Sequence, residues 1–296
     1  METRGKDKDY SNFRHAIEKF FNFVYANGWP ATVAYRLGFQ HKVIVSNYKI
    51  ELRSNPVSSP PLKIVFASDF HACQTTHFNL LKNACGKISA VKPDLVLLGG
   101  DFVTLDTSYI EDLALELEKI HAPFGKYAVL GNHDVWTNET IIIRHLESSG
   151  IKMLVNSNVQ LNKPYDHIWI CGLDDDRTGN PDPDTALRGA NGVRIVFMHS
   201  PDGLISLKNH QFNVAFCGHT HGGQIALPNG RPIVSAYGHL TRTYNHGLYH
   251  VGNDNEGTLI VSRGIGYTIL PIRIFADPEI VNCVLSWHEI NPGIMG

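Results

Sequence analysis

The sequence predicts an α/β fold, on three observations. Five short apolar runs, at 63–68, 95–100, 127–131, 194–198 and 213–218, are bounded by Gly, Ser or Asp and have the length and composition of buried strands. Segments of helical spacing, near 77–91, 107–120 and 138–149, follow the first three of these runs. After Gly150 the strand-like runs crowd together, near 152–155, 158–161, 167–172 and 193–198, so the second half is richer in strand.

Taken in order, residues 1–10 are a polar tail, and Ser11 is placed to cap a helix over 11–27 that Gly28 and Pro30 would stop. Phe13, Ala16, Ile17, Phe20, Phe21 and Val24 fall on one face of it, with Arg14, Glu18, Lys19 and Asn22 opposite. Two roles stay open for this helix: it packs on the body of the domain, or its aromatics enter a membrane surface. A strand over 43–52 and a Pro/Ser-rich link over 54–61 complete an N-terminal segment, 1–60, of amphipathic helix, strand and linker; 61–296 form the main domain. The loop over 174–184 is acidic and carries two prolines, and strands near 257–262 and 279–287 flank a turn-rich stretch over 263–278. Polar residues that matter come from both halves of the main domain, which implies one shared core.

Composition narrows the classes of function. The chain has 296 residues, of which 43% are hydrophobic, enough for a large globular core. A formal net charge of -2 excludes a nucleic-acid polyanion as bulk partner. Cys73, Cys85, Cys171, Cys217 and Cys283 are scattered and lack C-x-x-C spacing, which fits free thiols in a reducing compartment. No apolar run reaches the ~18 residues that span a bilayer, and the charged N-terminus lacks the apolar core of a signal peptide. The expected location is cytoplasmic, with residues 11–27 as the segment for peripheral contact with the inner membrane surface.

What distinguishes the five runs is how they end. The first delivers Asp69 and His71, the second Asp101, and the third Asn132, His133 and Asp134. The fourth delivers His199, and the fifth His219 and His221. In α/β sheets, sites gather at the carboxyl ends of strands. Asp, His and Asn donors suit Zn, Mn or Fe, and the lack of Cys among them argues against a structural zinc. Asp101, at the centre of the set, is the candidate to bridge two cations. Two divalent ions against Asp69, Asp101 and a bridging hydroxide leave net positive charge, which favours an anionic phosphate ester. His133 is the candidate proton donor to the leaving group; Asp134 either holds its ring or caps the helix that follows. Asn245, His246 and Arg263 are candidate substrate residues, with an ordinary turn or ion pair as the competing role, and Arg273 stands beside them as a second phosphate grip.

Asp69-Phe70-His71, Gly100-Asp101, Gly131-Asn132-His133-Asp134, Met198-His199 and Gly218-His219-Thr220-His221 occur in the order that resembles the calcineurin-like metallophosphoesterase superfamily. The resemblance covers 62–287. It implies a four-layer αββα sandwich of two mixed β-sheets flanked by helices, with two metals at the strand ends. It also implies that Asp69, His71, Asp101 and His221 hold the first metal and Asp101, Asn132, His199 and His219 the second. A metal-bound water or hydroxide is then the nucleophile and His133 lies near the leaving group. The segments 222–225, 262–266 and 271–273 resemble a narrower branch that includes bacterial membrane-associated phosphodiesterases and some UDP-diacylglucosamine pyrophosphohydrolases of lipid A synthesis. The expected activity is hydrolysis of phosphodiester or pyrophosphate bonds in a small-molecule or lipid-linked substrate. A soluble phosphomonoesterase is the alternative enzyme, and an inactive scaffold that keeps the fold is the non-enzyme alternative.

Overall fold

The computed structural model describes residues 20–21, 23–54, 59–252 and 257–289. Much of the helix expected over 11–27 lies outside them. Within the described part, Gly28 takes a left-handed conformation and a new helix, α1 (Trp29–Arg36), starts directly after it. Pro30 therefore opens a helix where the sequence suggested a stop. Its missing N–H costs nothing in a first turn, where that donor has no intrahelical partner.

Twelve strands form two six-stranded sheets. The first sheet contains β1 (Ile44–Ser54), β2 (Leu62–Ala67), β3 (Leu95–Leu98), β4 (Lys126–Ala128), β5 (Lys152–Met153) and β12 (Glu279–Glu289), in the order β1-β12-β2-β3-β4-β5. The second contains β6 (Ser157–Gln160), β7 (Ile168–Gly172), β8 (Val193–Phe197), β9 (Val214–Cys217), β10 (Gly247–Val251) and β11 (Gly257–Val261), in the order β10-β11-β9-β8-β7-β6. Both are mixed: β2 to β5 run parallel while β12 is antiparallel to β2, and β7, β8, β9 and β11 run parallel while β6 and β10 are antiparallel at the edges. The strand expected before residue 60 is β1, paired along its length with β12, so the N-terminal segment contributes the edge of the first sheet.

Side-chain alternation sorts each strand between two cores. From β2, Ile64 and Phe66 point to the space between the sheets, where they meet Phe197, Phe216 and Ile260. Val65 and Ala67 point the other way, against α2 (Phe78–Val91), α3 (Ile110–Glu118) and α5 (Glu139–Ser148) through Leu81, Ile88, Leu113, Ile142 and Leu146. On the far face of the second sheet, Val196, Ala215 and Val261 are covered by Ala186, Ala190 and Leu207. The layers are helices, sheet, sheet and a thinner cover of short helices and loops, so the αββα architecture is present.

The central contact between the sheets is the stack of Phe66 on Phe216, with ring centroids 5.6 Å apart. Phe66→Ala leaves a cavity between two rigid layers and is expected to cost about 3–5 kcal/mol, read as a lower urea midpoint at unchanged slope. A loss under about 1 kcal/mol would show that the sheets can close over the gap.

Candidate metal centre

The parallel strands of both sheets end on one side of the molecule, and the loops that leave them are tied together by backbone hydrogen bonds. Asp69 N–H donates to Gly100 O, His71 N–H to Asp101 O, and Gly218 N–H to His199 O, at 2.8–3.0 Å. These loops turn sharply. Asp69, His71, Asp101, His219 and His221 all have positive φ, between 41° and 68°. Non-glycine residues rarely adopt that region, and such strain collects at functional sites. Glycine supplies the clearance: a Cβ on Gly218 would strike the Asp69 carboxylate and the Ser68 hydroxyl, and one on Gly131 would strike Asp101.

Three groups of potential ligands result: Asp69 with His71 and His221, Asp101 with His199 and His219, and His71 with Asp101 and His133. Asp101 joins them, since its Oδ2 lies 3.5 Å from His71 Nε2 and 3.3 Å from His199 Nε2. Its Oδ1 accepts from the His133 N–H at 2.9 Å. The Asp69 carboxylate accepts from the Ser68 hydroxyl at 2.6 Å and from the His219 N–H. Asn132, the first residue of α4 (Asn132–Thr137), is buried, and its Oδ1 has no hydrogen-bond partner among the described residues.

The ring nitrogens show which atoms serve the centre. His199 Nδ1 donates to Gly99 O at 2.8 Å and His219 Nε2 to Tyr237 O at 2.9 Å. Their remaining nitrogens, Nε2 of His199 and Nδ1 of His219, face each other at 3.1 Å. Two ring nitrogens at that distance share a proton or a cation. His71 is held similarly: Nδ1 lies 2.9 Å from Thr104 Oγ1, and Nε2 faces His221 Nε2 at 3.1 Å. Arg273, buried behind His221 with a nitrogen 2.9 Å from Nδ1, donates its other protons to carbonyls of Gly266, Arg263 and Ala276. An orphaned amide oxygen, converging lone pairs and two buried carboxylates fit divalent cations, the pattern of oxygen and nitrogen donors that Zn, Mn or Fe accept.

Burial, then the Arg273 charge, drives His221 well below its ordinary pKa; burial does the same to His71 and brings His219 down to about 3. All three are neutral, the form that can bind a cation. His199 goes the other way: burial opposes its charge, but Asp101, Asp69 and Asp175 hold the imidazolium well above its ordinary pKa, so in the metal-free protein a proton sits where a cation would replace it. Burial opposes the charge on Asp101, yet His199, His133 and His71 around it hold its carboxyl well below the usual range.

Some expected site residues lie elsewhere. Of the two roles open for Asp134, the structure shows the cap. Its carboxylate accepts from the N–H groups of Asp101, Phe102 and Gly131 at 2.8–2.9 Å, which caps α4 and pins the Asp101 turn. Thr104 O takes the position expected of Asp134, accepting from His133 Nδ1 at 2.8 Å. Asn245, His246 and Arg263 do not line the cleft beside the centre. Asn245 O accepts from Thr220 Oγ1, His246 Nδ1 lies 3.4 Å from the Asn245 amide, and Arg263 faces Glu279, with its N–H and side chain both directed there. Thr104, Trp136 and Arg177 line or adjoin the cleft and were not singled out from sequence. The available signal was a lone cation two residues after the buried Asp175 in the acidic loop.

The cleft measures about 440 Å³ and is lined by His71, Asp101, Asn132, His133, His219 and His221 at its floor. A family model described as calcineurin-like phosphoesterase matches residues 62–223, more than half of the chain. The chain belongs to the calcineurin-like phosphoesterase family. As a member it is a metal-dependent phosphoester hydrolase. YkuE, an uncharacterized metallophosphoesterase of Bacillus subtilis (strain 168), is 33% identical over 247 residues, which span 81% of this chain and 84% of YkuE. The phosphodiesterase YaeI of Escherichia coli (strain K12) is 30% identical over 261 residues, spanning 86% of this chain and 87% of YaeI. A transmembrane protein with metallophosphoesterase domain from Danio rerio is 29% identical over 258 residues, spanning 82% of this chain and 57% of that protein. Among the described residues of this phosphoesterase, no helix is long and apolar enough to cross a membrane.

Metal uptake should depend on pH in a defined direction. Burial pushes the Asp69 carboxyl up to about 6. The metal-free folded chain therefore holds this proton more tightly than the unfolded chain, and the stability so gained is complete below 3.8 and lost as pH rises through about 6. A bound cation reverses the sign, because it requires the ionised carboxylate. The gap in melting temperature between metal-loaded and chelator-stripped protein is expected to widen from about pH 5 to about pH 7.5. A gap that stays constant over that range would contradict the assignment of Asp69 to the metal.

Proposed function

We propose that this phosphoesterase hydrolyses phosphodiester or pyrophosphate bonds with a pair of divalent cations. Asp69, His71, Asp101 and His221 would hold one and Asp101, Asn132, His199 and His219 the other, and such a pair supplies charge neutralisation and a water made acidic enough to attack near neutral pH. The observation that carries this is the position of Asp101 Oδ2 between His71 and His199, one histidine from each ligand group.

The chain's own residues supply the rest of the chemistry. Thr104 serves two histidines at once, through its hydroxyl to His71 and its carbonyl to His133. With Nδ1–H given to that carbonyl, His133 has Nε2 as the nitrogen that can deliver a proton to a leaving oxygen. Its ring is fixed further by edge contacts with His71 at 5.0 Å and Trp136 at 5.2 Å. Monoester dianions call for several cationic side chains around the phosphate, and Arg177 is the one Arg or Lys among the described residues lining the cleft. That favours substrates with less charge at the scissile phosphorus.

The test is metal content read together with turnover. About two ions per chain are expected, with bis(p-nitrophenyl) phosphate and a nucleotide-sugar pyrophosphate cleaved in preference to p-nitrophenyl phosphate. A single ion, or a preference for the monoester, would overturn the proposal. In the same assay His133→Ala should slow alkyl phosphodiesters by roughly 10²–10⁴-fold but p-nitrophenyl esters far less, since a good leaving group needs no proton. Equal losses on both would leave His133 with a positional role.

One observation favours a lipid-linked substrate at the same centre. The upper wall of the cleft is apolar, made by Phe21, Tyr25, Leu105, Ala236 and Ile269. Phe20, in ring contact with Phe21, and Leu270, next to Ile269, are exposed, and so are Phe23, to 83%, and Phe275. Aromatic side chains at a cleft mouth suit a membrane interface and an acyl-bearing substrate that reaches the metals from it. Phe23→Ser with Phe275→Ser is expected to reduce flotation of the full chain with anionic liposomes by more than half, judged against the area such rings bury. Flotation equal to wild type would remove the membrane from the proposal.

A further inference from the structure

Asp202 lies three residues after His199, at the start of the short helix Gly203–Ser206, and is buried. An aspartate at that position ordinarily caps its own helix, yet its side chain makes no capping bond here. The carboxylate reaches across to a distant loop instead. Its Oδ2 accepts from the His239 N–H at 2.7 Å and its Oδ1 from the Leu240 N–H at 2.6 Å. Gly238, at φ 153°, lets the chain come that close: a Cβ there would lie 2.8 Å from Asp202 Oδ2. The gripped loop reaches the metal centre through the Tyr237 carbonyl, which accepts from His219 Nε2 at 2.9 Å. Burial does little to hold this loop, since Ile233, Val234 and Tyr237 are 61–70% exposed. Its anchors near Tyr237 are polar: the Asp202 carboxylate, the Thr241 hydroxyl on Ala236 O at 2.8 Å, and the Arg177 guanidinium over the Tyr237 ring. Bonds to an ionised acceptor are the stronger kind, so the carboxylate dominates the backbone position there.

We propose that Asp202 is a positioning residue for the metal that His219 would hold. By fixing residues 238–240 it sets the Tyr237 carbonyl; that carbonyl keeps the His219 proton on Nε2 and leaves Nδ1 as the lone pair directed at the centre. This rests on the dimetal reading above and adds a residue outside both the ligand set and the cleft lining. The effect is confined to one half of the centre. His199 is oriented separately, by Nδ1 on Gly99 O, and His71 by Thr104, so their orientation does not pass through the 238–240 loop. Outer partners of this kind fix the ring and tautomer of a ligating histidine, and losing one typically weakens the metal by about 10–100-fold.

The test uses the zinc-loaded full chain with isotope-labelled histidine, as wild type, Asp202→Asn and Asp202→Ala. Nuclear magnetic resonance follows two ring N–H signals, His199 Nδ1–H on Gly99 O and His219 Nε2–H on Tyr237 O, the second assigned by its absence from His219→Gln. In Asp202→Ala the His219 proton is expected to exchange with solvent at least about tenfold faster, while the His199 proton keeps its wild-type rate. Calorimetric zinc titration of the same proteins should show one ion weakened by roughly 10–100-fold and the other by less than about threefold. Asp202→Asn, which keeps one acceptor oxygen and the shape of the side chain, should fall between, and it carries the same comparison if the alanine variant does not fold. A His219 signal that is unchanged, or equal loss of both ring protons and both ions, overturns the role. A wild type that takes up a single zinc would sink the dimetal reading, while the contrast between the two ring protons would still decide the role of Asp202.

Discussion

Buried negative charge is the constraint on which the rest of the structure depends. Asp69, Asp101, Asp134 and Asp175 are all fully or almost fully buried near the strand ends. An isolated buried carboxylate is too costly to keep ionised. Two of the four are answered by the chain itself. Asp134 collects backbone N–H groups from the Asp101 turn, and one oxygen of Asp175 accepts from the amide and hydroxyl of Thr178. Asp69 and Asp101 accept from the Ser68 hydroxyl and from the His219 and His133 N–H groups, and their remaining faces meet the ring nitrogens of His71, His199 and His221. Positive charge from outside the polypeptide completes that arrangement. Without it, the left-handed turns at Asp69, His71, Asp101, His219 and His221 would carry a strain of roughly 1–3 kcal/mol each with little in return.

The two-sheet architecture follows from the same requirement. Asp69 and Asp101 leave the first sheet after β2 and β3, while His199 and His219 leave the second after β8 and β9. A ligand set drawn from both sheets is held to a fraction of an ångström only if the sheets cannot slide. The interleaved core between them, with Phe66 on Phe216 at its middle, provides that rigidity within a few residues of the ligands. Hydrogen bonds cross the same seam, from His219 N–H to Asp69 and from His199 Nδ1 to Gly99 O. Packing and coordination therefore fix the same degree of freedom.

Much of this was legible in the sequence because its causes are local. A buried strand announces itself in a few apolar residues, and the first turn after it leaves the sheet on the same side, so the convergence of Asp69, Asp101, Asn132, His199 and His219 could be read from strand and turn alone. Helices over 78–91 and 139–148 came out within a residue or so of their expected bounds for the same reason. Pro30 was ambiguous because a proline after a glycine suits a helix end and a helix start equally; the left-handed Gly28 decides it. Sequence left two roles open for Asp134, because a carboxylate next to a histidine in sequence need not face it on a helix, and the structure gives it the cap. It turned back to four backbone donors around it instead, one of them at 3.4 Å. Arg263 looked like a phosphate grip by type alone, whereas Glu279 lies across from it. Arg177 had no local signature, since Trp136 and Tyr237 reach it from distant parts of the chain.

The division of labour within the cleft bears on what kind of selectivity the enzyme can have. In the mechanism proposed above, the metal ligands and His133 would act on the reacting phosphoryl group, which every phosphate ester shares, so they could not tell one substrate from another. Discrimination must come from contacts with the parts that do not react, and such contacts raise the rate only if they are strongest as the bond breaks. An apolar wall made by Phe21, Tyr25, Leu105 and Ile269 would contact a non-reacting apolar part of the substrate about equally before and during the reaction. Such a wall improves capture and shows in KM, with little effect on kcat.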